Sequence, residues 1–129
     1  MLYYFLLTPK VFAKNCLSFL PYGYNNFYVQ LPENASFCVK RRTTNRFKTD
    51  KYGGRLLVNE DFKNKIQIFG DSQVIGLEIE KIEQHYLYSK YKNNNFTIYA
   101  APNNGPYEVI NFLNRNKNIL DKKIIVTFN

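Results

Sequence analysis

The pattern of apolar and polar residues changes near residue 60. Before that point, aromatic and β-branched residues are interrupted by prolines and glycines, a composition that favours short strands and turns over helices. We expect residues 24–31 to form a strand or a hairpin, with residues 35–42 as its partner. Residues 1–60 are therefore interpreted as a β-rich N-terminal extension.

Beyond residue 60, short apolar segments alternate with longer amphipathic ones, which predicts a mostly parallel sheet with helices between its strands. Strands are predicted at residues 66–69, 96–100 and 123–128. The helical spacing of apolar residues predicts a helix over residues 73–89. A second helix is predicted to begin at Pro106, because proline suits the first helical turn, and to place Val109 and Phe112 on its apolar face.

The last predicted strand is almost continuously apolar. Such a strand belongs inside a sheet that is covered on both faces, and covering it requires elements that follow it in sequence. The sequence stops at Asn129, directly after this strand. We therefore expect residues 61–129 to be the N-terminal part of an α/β domain that is truncated after its third strand.

Length and charge narrow the class of protein. A chain of 129 residues fits one domain with a modest core. The net charge is +8, and the first 60 residues carry 9 basic but only 3 acidic side chains. The densest basic run is residues 40–42, with Arg46 and Lys48 nearby, and it either contacts phosphates or acidic glycans or forms a solvated strand end. The 17 asparagines and many tyrosines that accompany the lysines indicate codon bias, so we do not expect nucleic acid as a partner.

The two cysteines, Cys16 and Cys38, are far apart and have neither a CxxC spacing nor a neighbouring histidine, so no zinc site is expected, while a disulfide is left open. No cofactor motif is found, and none is predicted. Residues 1–7 are apolar but too few for a signal sequence or a membrane span, so we expect no membrane span and take the cytoplasm as the default compartment.

The best candidate for chemistry is Gly70-Asp71-Ser72, which follows the first predicted strand of the parallel sheet. Ligands of open α/β sheets bind at the carboxyl ends of the strands, and a helix that starts there offers unpaired N–H groups to an anion. This position can present the Ser72 hydroxyl as a nucleophile. We expect Asp71 to shape the turn by bonding to nearby backbone, because adjacent residues on a tight turn point apart.

These residues resemble the N-terminal part of the SGNH (GDSL-type) hydrolases. That family has a Ser in a GDS motif after its first strand, a Gly after its second and an Asn after its third, which Ser72, Gly105 and Asn129 match. The resemblance implies a flavodoxin-like three-layer sheet and a serine esterase. It also implies that Ser72 is the nucleophile, and that the Gly105 N–H and the Asn129 amide are oxyanion donors.

An upstream segment, residues 43–55, resembles the asparagine, glycine and arginine segment of bacterial members that act on sugar polymers. This implies an acylated carbohydrate, or another small ester, as the substrate. The alternative is that Gly53 and Gly54 form an ordinary turn between two strands.

The chain departs from the family in lacking a DxxH motif, and Gln73 replaces the leucine after the serine. The only histidine, His85, lies 13 residues after Ser72 in the same predicted helix, about 20 Å away. We therefore expect His85 to be a surface or partly packed helix residue and not the base. The missing Asp and His would lie beyond Asn129, and these 129 residues alone are expected to be inactive.

Two alternatives stay open. The chain is either an SGNH-type esterase or a non-catalytic relative that binds a glycan or a partner through its aromatic, basic N-terminal segment. In addition, Gly70-Asp71-Ser72 could be a plain turn with Ser72 as a helix cap. Flavodoxin-like and receiver domains share the order of elements, but the phosphate loop or acidic cluster that they would carry is absent.

Overall fold

The computed structural model describes residues 16–18, 20–25, 28–58, 64–76, 78–79, 81–92, 94–120 and 123–128. These residues form a mixed α/β fold with eight strands, one α-helix and two short 3-10 helices. The strands are β1 (Gly23–Asn25), β2 (Tyr28–Gln30), β3 (Ser36–Lys40), β4 (Thr44–Lys48), β5 (Arg55–Leu57), β6 (Asn64–Gly70), β7 (Asn94–Ala100) and β8 (Ile124–Thr127). The helix α1 spans Pro106–Arg115, and the 3-10 helices span Ile82–Gln84 and Lys117–Ile119.

The main sheet has four strands in the order β5-β7-β6-β8. Strands β7, β6 and β8 are parallel, and β5 joins the edge of β7 antiparallel. The three parallel strands are those predicted from the sequence, and β6, the first of them in the chain, lies between the other two. Gly70 is opposite both Ala100 and Thr127, so the carboxyl ends of the three strands are level.

The central strands are apolar on both faces, because each face is covered. Ile66 and Ile68 of β6 belong to a larger cluster that the turns after residue 70 and the N-terminal hairpins cover. Phe69, which follows Ile68 and points to the opposite face, packs with residues of α1 there. The sheet is thus the middle of three layers.

Helix α1 forms where the sequence predicts it. Pro106 occupies its first turn, where a missing N–H costs no hydrogen bond. Its buried residues, Val109 and Phe112, face Phe69 and Tyr99 of the sheet, and the rings of Phe69 and Tyr99 stack with their centroids 4.9 Å apart. The amphipathic pattern of this segment is therefore satisfied by one sheet face.

The prediction of a helix over residues 73–89 is wrong. The described residues of this segment form turns and the 3-10 helix Ile82–Gln84. Gly76 adopts a left-handed backbone conformation, with φ of 62°, which interrupts an α-helix. The carbonyls of Ile75, Gly76 and Ile79 accept hydrogen bonds from the side chain of Arg55, and that of Gly76 also accepts the Ile79 N–H at 3.0 Å in a turn.

The described residues before position 60 form two hairpins and the edge strand β5. Strand β1 pairs with β2, which confirms the hairpin predicted for residues 24–31. The prediction that residues 35–42 pair with that segment is wrong, because β3 pairs with β4. Phe37 and Phe47 lie opposite each other in this second hairpin and stack at 5.1 Å. The core that they enter also contains Ile66 and Ile68, and β5 joins the same segment to the main sheet. A boundary at residue 60 stays a prediction.

A disulfide joins Cys16 to Cys38, which the sequence left open. Leu17, next to Cys16, pairs with Val39 in a parallel bridge and exchanges backbone hydrogen bonds with Cys38 and Lys40. The bond and the bridge together hold the segment around residue 17 along the edge of β3.

Residues 1–7, which we interpreted as too short for a signal or a span, lie outside the described residues. Among the residues that the structure does describe, no helix is long and apolar enough to cross a membrane.

We expect the Cys16→Ala/Cys38→Ala double variant to be less stable than the oxidised protein. The bond closes a loop with a sequence separation of 22 residues, and the lost restriction of the unfolded chain corresponds to about 3 kcal/mol. Urea denaturation followed by circular dichroism measures this difference. Wild-type protein reduced with dithiothreitol is the control and should unfold with the variant. Unfolding of the variant at the same urea concentration as the oxidised wild type would contradict the assignment.

Candidate functional site

The level ends of β6, β7 and β8 define one edge of the sheet, and the turn that contains Ser72 follows β6 at this edge. Gly70 ends β6 at this edge, and a β-carbon added to it would lie 2.5 Å from the Thr127 carbonyl oxygen and 2.6 Å from a methyl group of Val74. Any larger residue would push β8 or the following turn away. Glycine at position 70 therefore lets β8 and the turn after β6 approach each other closely.

The turn that follows is fixed by Asp71. Its Oδ1 accepts a hydrogen bond from the Gln73 N–H at 3.0 Å, and its backbone carbonyl accepts one from Val74 at 3.2 Å. The prediction that Asp71 shapes the turn is confirmed. The expected helix start after Ser72 is not found, so neither a helix dipole at this position nor a helix cap at Ser72 is part of the site. Ser72 itself is exposed at the tip of the turn.

A pocket of about 360 Å³ opens beside this turn. It lies between the carboxyl ends of β6 and β8, and its lining consists of Asp71, Gln73, Val74, Tyr86, Thr127 and Phe128. The position is where the order of the parallel strands reverses, since the chain goes from β6 outward to β7 and then returns to the other side of β6 as β8. Such crevices are the usual ligand positions of open α/β sheets.

Gly105 precedes α1 in the connection after β7, as the sequence requires, but its N–H already has a partner. It donates to Oε2 of Glu108 at 2.8 Å, which is half of a capping box at the start of the helix. For this N–H to stabilise an oxyanion, Glu108 would have to release it. The spacing of a glutamate three residues after the cap position was the sequence signal for this contact.

Asn129, the third candidate, lies outside the described residues. The residue before it, Phe128, is described and lines the pocket. Ser72 and Asn129 each follow a paired strand end by two residues, because Gly70 is opposite Thr127. The three strands thus end together beside the pocket, whereas a joint action of Ser72, Gly105 and Asn129 stays a prediction.

Arg55 is the largest fully buried side chain of the described residues and holds the segment after Ser72. Its Nη1 donates to the Ile75 carbonyl at 2.7 Å and also to that of Gly76, and its Nη2 donates to that of Ile79. The guanidinium carbon lies 4.7 Å from the centre of the Phe47 ring. Arg55 therefore connects β4, β5 and the turns that follow Ser72.

The guanidinium of Arg55 is buried, so its positive charge has lost its contact with water. Burial lowers the pKa of Arg55 to about 10, an effect that the neighbouring Tyr22 partly offsets. Burial also raises the pKa of Tyr22 to about 12, against the positive charges of Arg41 and Arg55. Arg55 is thus a cation and Tyr22 a neutral phenol at neutral pH, and the carbonyl oxygens around the guanidinium take the place of water.

The turn before Arg55 is shaped by Asp50. Its Oδ1 accepts hydrogen bonds from the N–H groups of Tyr52 at 2.9 Å and Gly54 at 2.8 Å, and its Oδ2 accepts the hydroxyl of Tyr99. A β-carbon on Gly54 would meet the Tyr99 ring at 2.5 Å, so the chain passes directly over the sheet. The turn of residues 50–54 thus positions Arg55, a role that the sequence pattern did not indicate.

His85 differs from its prediction in both place and burial. It follows the 3-10 helix, is only 3 % exposed, and lies against Phe96 of β7. The predicted distance of about 20 Å between Ser72 and His85 assumed a continuous helix. Because that helix is not formed, the distance no longer holds.

His85 is nevertheless unsuited to act as the base. Its Nδ1 accepts the Leu87 N–H at 3.2 Å, so the neutral ring carries its proton on Nε2 and offers no lone pair there. Nε2 is buried and forms no well-aligned hydrogen bond with a described residue. Burial lowers the pKa of His85, although the backbone of Val74 acts in the opposite direction.

No protein-family model matches this chain, and neither does any curated protein or any solved structure. The family resemblance of the sequence therefore stays a prediction.

We expect Arg55→Met to lower the free energy of unfolding by on the order of 3 kcal/mol, because three carbonyls lose their hydrogen bonds to the buried guanidinium. Arg55→Lys should lose less, since one ammonium group can still reach part of the set. Urea denaturation measures both. Arg46→Met is the control, because Arg46 is exposed and should change stability by about 0.5 kcal/mol or less. Equal losses at positions 55 and 46 would show that the carbonyl contacts contribute little.

We expect His85 to make the protein less stable in mild acid. Its pKa is below the ordinary 6.5 in the folded state, so the unfolded chain binds a proton first, and stability falls as the pH drops below 6.5 until the folded residue is also protonated. The slope is at most about 1.4 kcal/mol per pH unit. Urea midpoints from about pH 7.5 to 5 measure it. His85→Gln should have a flatter profile over this range, and identical profiles would exclude His85 as the cause.

Proposed function

We propose that the chain is the nucleophile-bearing part of a serine acyl hydrolase of SGNH type that acts on an acylated carbohydrate. The observation that carries the proposal is the order and register of the parallel strands. The first strand of the chain lies between the second and the third, all three end level, and a pocket opens where their order reverses. That order is typical of flavodoxin-like sheets, which have their ligand at this point.

The proposed reaction is an acyl transfer through a covalent intermediate. The Ser72 Oγ attacks the ester carbonyl carbon and its proton passes to a base, while the carbonyl oxygen becomes an oxyanion. The intermediate then collapses, and the sugar alkoxide leaves with a proton from the same base. Water hydrolyses the acyl-serine in the second half of the cycle. Gly105 and Asn129 would donate to the oxyanion, each contributing on the order of 100- to 1000-fold in rate.

The proposal requires a base, and His85 does not serve as one in the part of the chain that the structure describes. His85 holds its neutral-state proton on the wrong nitrogen and is buried. An Asp and a His outside residues 1–129 would have to face Ser72 at the open side of the turn. The exposure of Ser72 is consistent with that arrangement.

The second candidate is a non-catalytic glycan- or partner-binding protein with the same sheet. It is favoured by one contact, the hydrogen bond from the Gly105 N–H to Glu108, which occupies a group that the hydrolase needs. In a binding protein this contact is simply a helix cap.

A fluorophosphonate probe distinguishes the two functions. In the full-length protein the hydrolase should be labelled, with peptide mass spectrometry locating the label on Ser72, and Ser72→Ala should abolish labelling. Ser89→Ala is the matched control, because Ser89 is also exposed but does not follow a strand of the sheet. A folded full-length protein that takes up no label would overturn the hydrolase and favour the binding protein.

A further inference from the structure

The hairpin of β3 and β4 carries a row of exposed cations that the proposed reaction does not use. Residues 36–48 include five basic side chains and no acidic one. All five are exposed, namely Lys40, Arg41, Arg42, Arg46 and Lys48. We call the outer surface of this hairpin the cationic face.

The register of the hairpin arranges these charges in a line. Lys48 is opposite Ser36, Arg46 opposite Cys38, and Lys40 opposite Thr44, so the three strand cations occupy successive levels of one face. Levels two residues apart are about 7 Å apart. Arg41 and Arg42 continue the line into the turn. The inward positions between them are Phe37, Val39, Asn45 and Phe47, all buried. The cationic face is therefore an extended track and not a scattered set of charges.

The track leads toward the candidate site. At the turn of the hairpin, the Thr43 hydroxyl donates to Oε2 of Glu78 at 3.5 Å, and Glu78 lies in the segment that follows Ser72. Arg41, in the same turn, lies close enough to Tyr22 to affect its pKa, and Tyr22 in turn neighbours Arg55. A linear polymer lying along the cationic face would thus extend beside the turns that Arg55 holds.

Three arginines among five cations suit carboxylates or phosphates as the bound groups. A guanidinium can form two parallel hydrogen bonds to one such group, which an ammonium cannot. Single-stranded nucleic acid, the other common linear polyanion, is bound by basic grooves together with aromatic side chains that stack on bases. Both aromatic rings of this hairpin, Phe37 and Phe47, point into the core. The cationic face has charge without stacking surfaces.

The disulfide is a second argument against nucleic acid as the polymer. Cys38, the buried residue opposite Arg46, is bonded to Cys16. Disulfides persist in oxidising compartments and are rare in cytosolic and nuclear proteins. The bond also removes both thiols from any role as metal ligands.

We propose that the cationic face binds a carboxylated polysaccharide, a polymer containing uronic acids, and holds it beside the strand ends. This proposal deepens the proposed function. It rests on that function only where it identifies the bound polymer as the substrate that carries the acyl group. Binding itself needs no catalysis.

The test is a binding titration of the full chain with polygalacturonate at about 0.15 M salt. The wild type should bind, with affinity falling steeply as salt increases, and Lys40→Gln/Arg42→Gln/Arg46→Gln/Lys48→Gln should weaken binding about tenfold or more. The matched control is Lys92→Gln/Arg115→Gln/Lys117→Gln/Lys123→Gln, which removes four exposed charges elsewhere and should change affinity by about twofold at most. Circular dichroism confirms that both variants are folded.

Three results would overturn the proposal. They are no binding by the wild type, equal weakening in the two quadruple variants, and tighter binding of an oligothymidylate than of polygalacturonate. The last would make nucleic acid the partner.

Ser72→Ala should bind polygalacturonate like the wild type. If the fluorophosphonate probe fails while the cationic face binds, the hydrolase is rejected and the surface is retained.

Discussion

The capture of three backbone carbonyls by Arg55 is the interaction on which the region after Ser72 depends. A guanidinium in this position cannot reach water, and its charge is favourable only while the carbonyls of Ile75, Gly76 and Ile79 point at it. Those carbonyls belong to the layer that covers Ile66 and Ile68 of the central strand. The same contact therefore shapes the turn, helps to cover one face of the sheet and connects β5 to residues 20 to 24 positions later in the chain.

The other side of the site follows from the sheet. Because β6 is between β7 and β8 and the three strands end level, the connections after them leave from one edge, and the pocket forms where they diverge. Gly70 allows this close approach, since no β-carbon separates β6 from the Thr127 carbonyl and the Val74 side chain. The site is thus built from the level strand ends and a turn packed against them, and the hairpin of β3 and β4 contacts the segment that follows that turn.

Periodicity predicted those parts of the fold that local sequence determines. The three parallel strands and α1 form as expected, since their apolar positions repeat with the period of the element that they make. The helix over residues 73–89 failed because Arg55, 20 residues before Ile75, takes its carbonyls, and no local pattern encodes such a contact. The pairing of β3 with β4 was missed for a related reason, since strand-forming segments do not specify their partners. At the site, Gly105 was proposed as a candidate residue from its position after a strand. Its hydrogen bond to Glu108 could be predicted only after the start of the helix had been located.

The Cys16–Cys38 bond makes residues 16–38 a closed covalent ring that contains the whole of the first hairpin. Cutting any single peptide bond inside that ring leaves the chain as one molecule, with the residues on both sides of the cut still joined through sulfur. The β3 strand, which bears one of the two sulfurs, would keep its neighbour at Leu17 after such a cut. A protease that enters at the first hairpin would therefore convert one chain into two without separating them, until a reductant opened the ring.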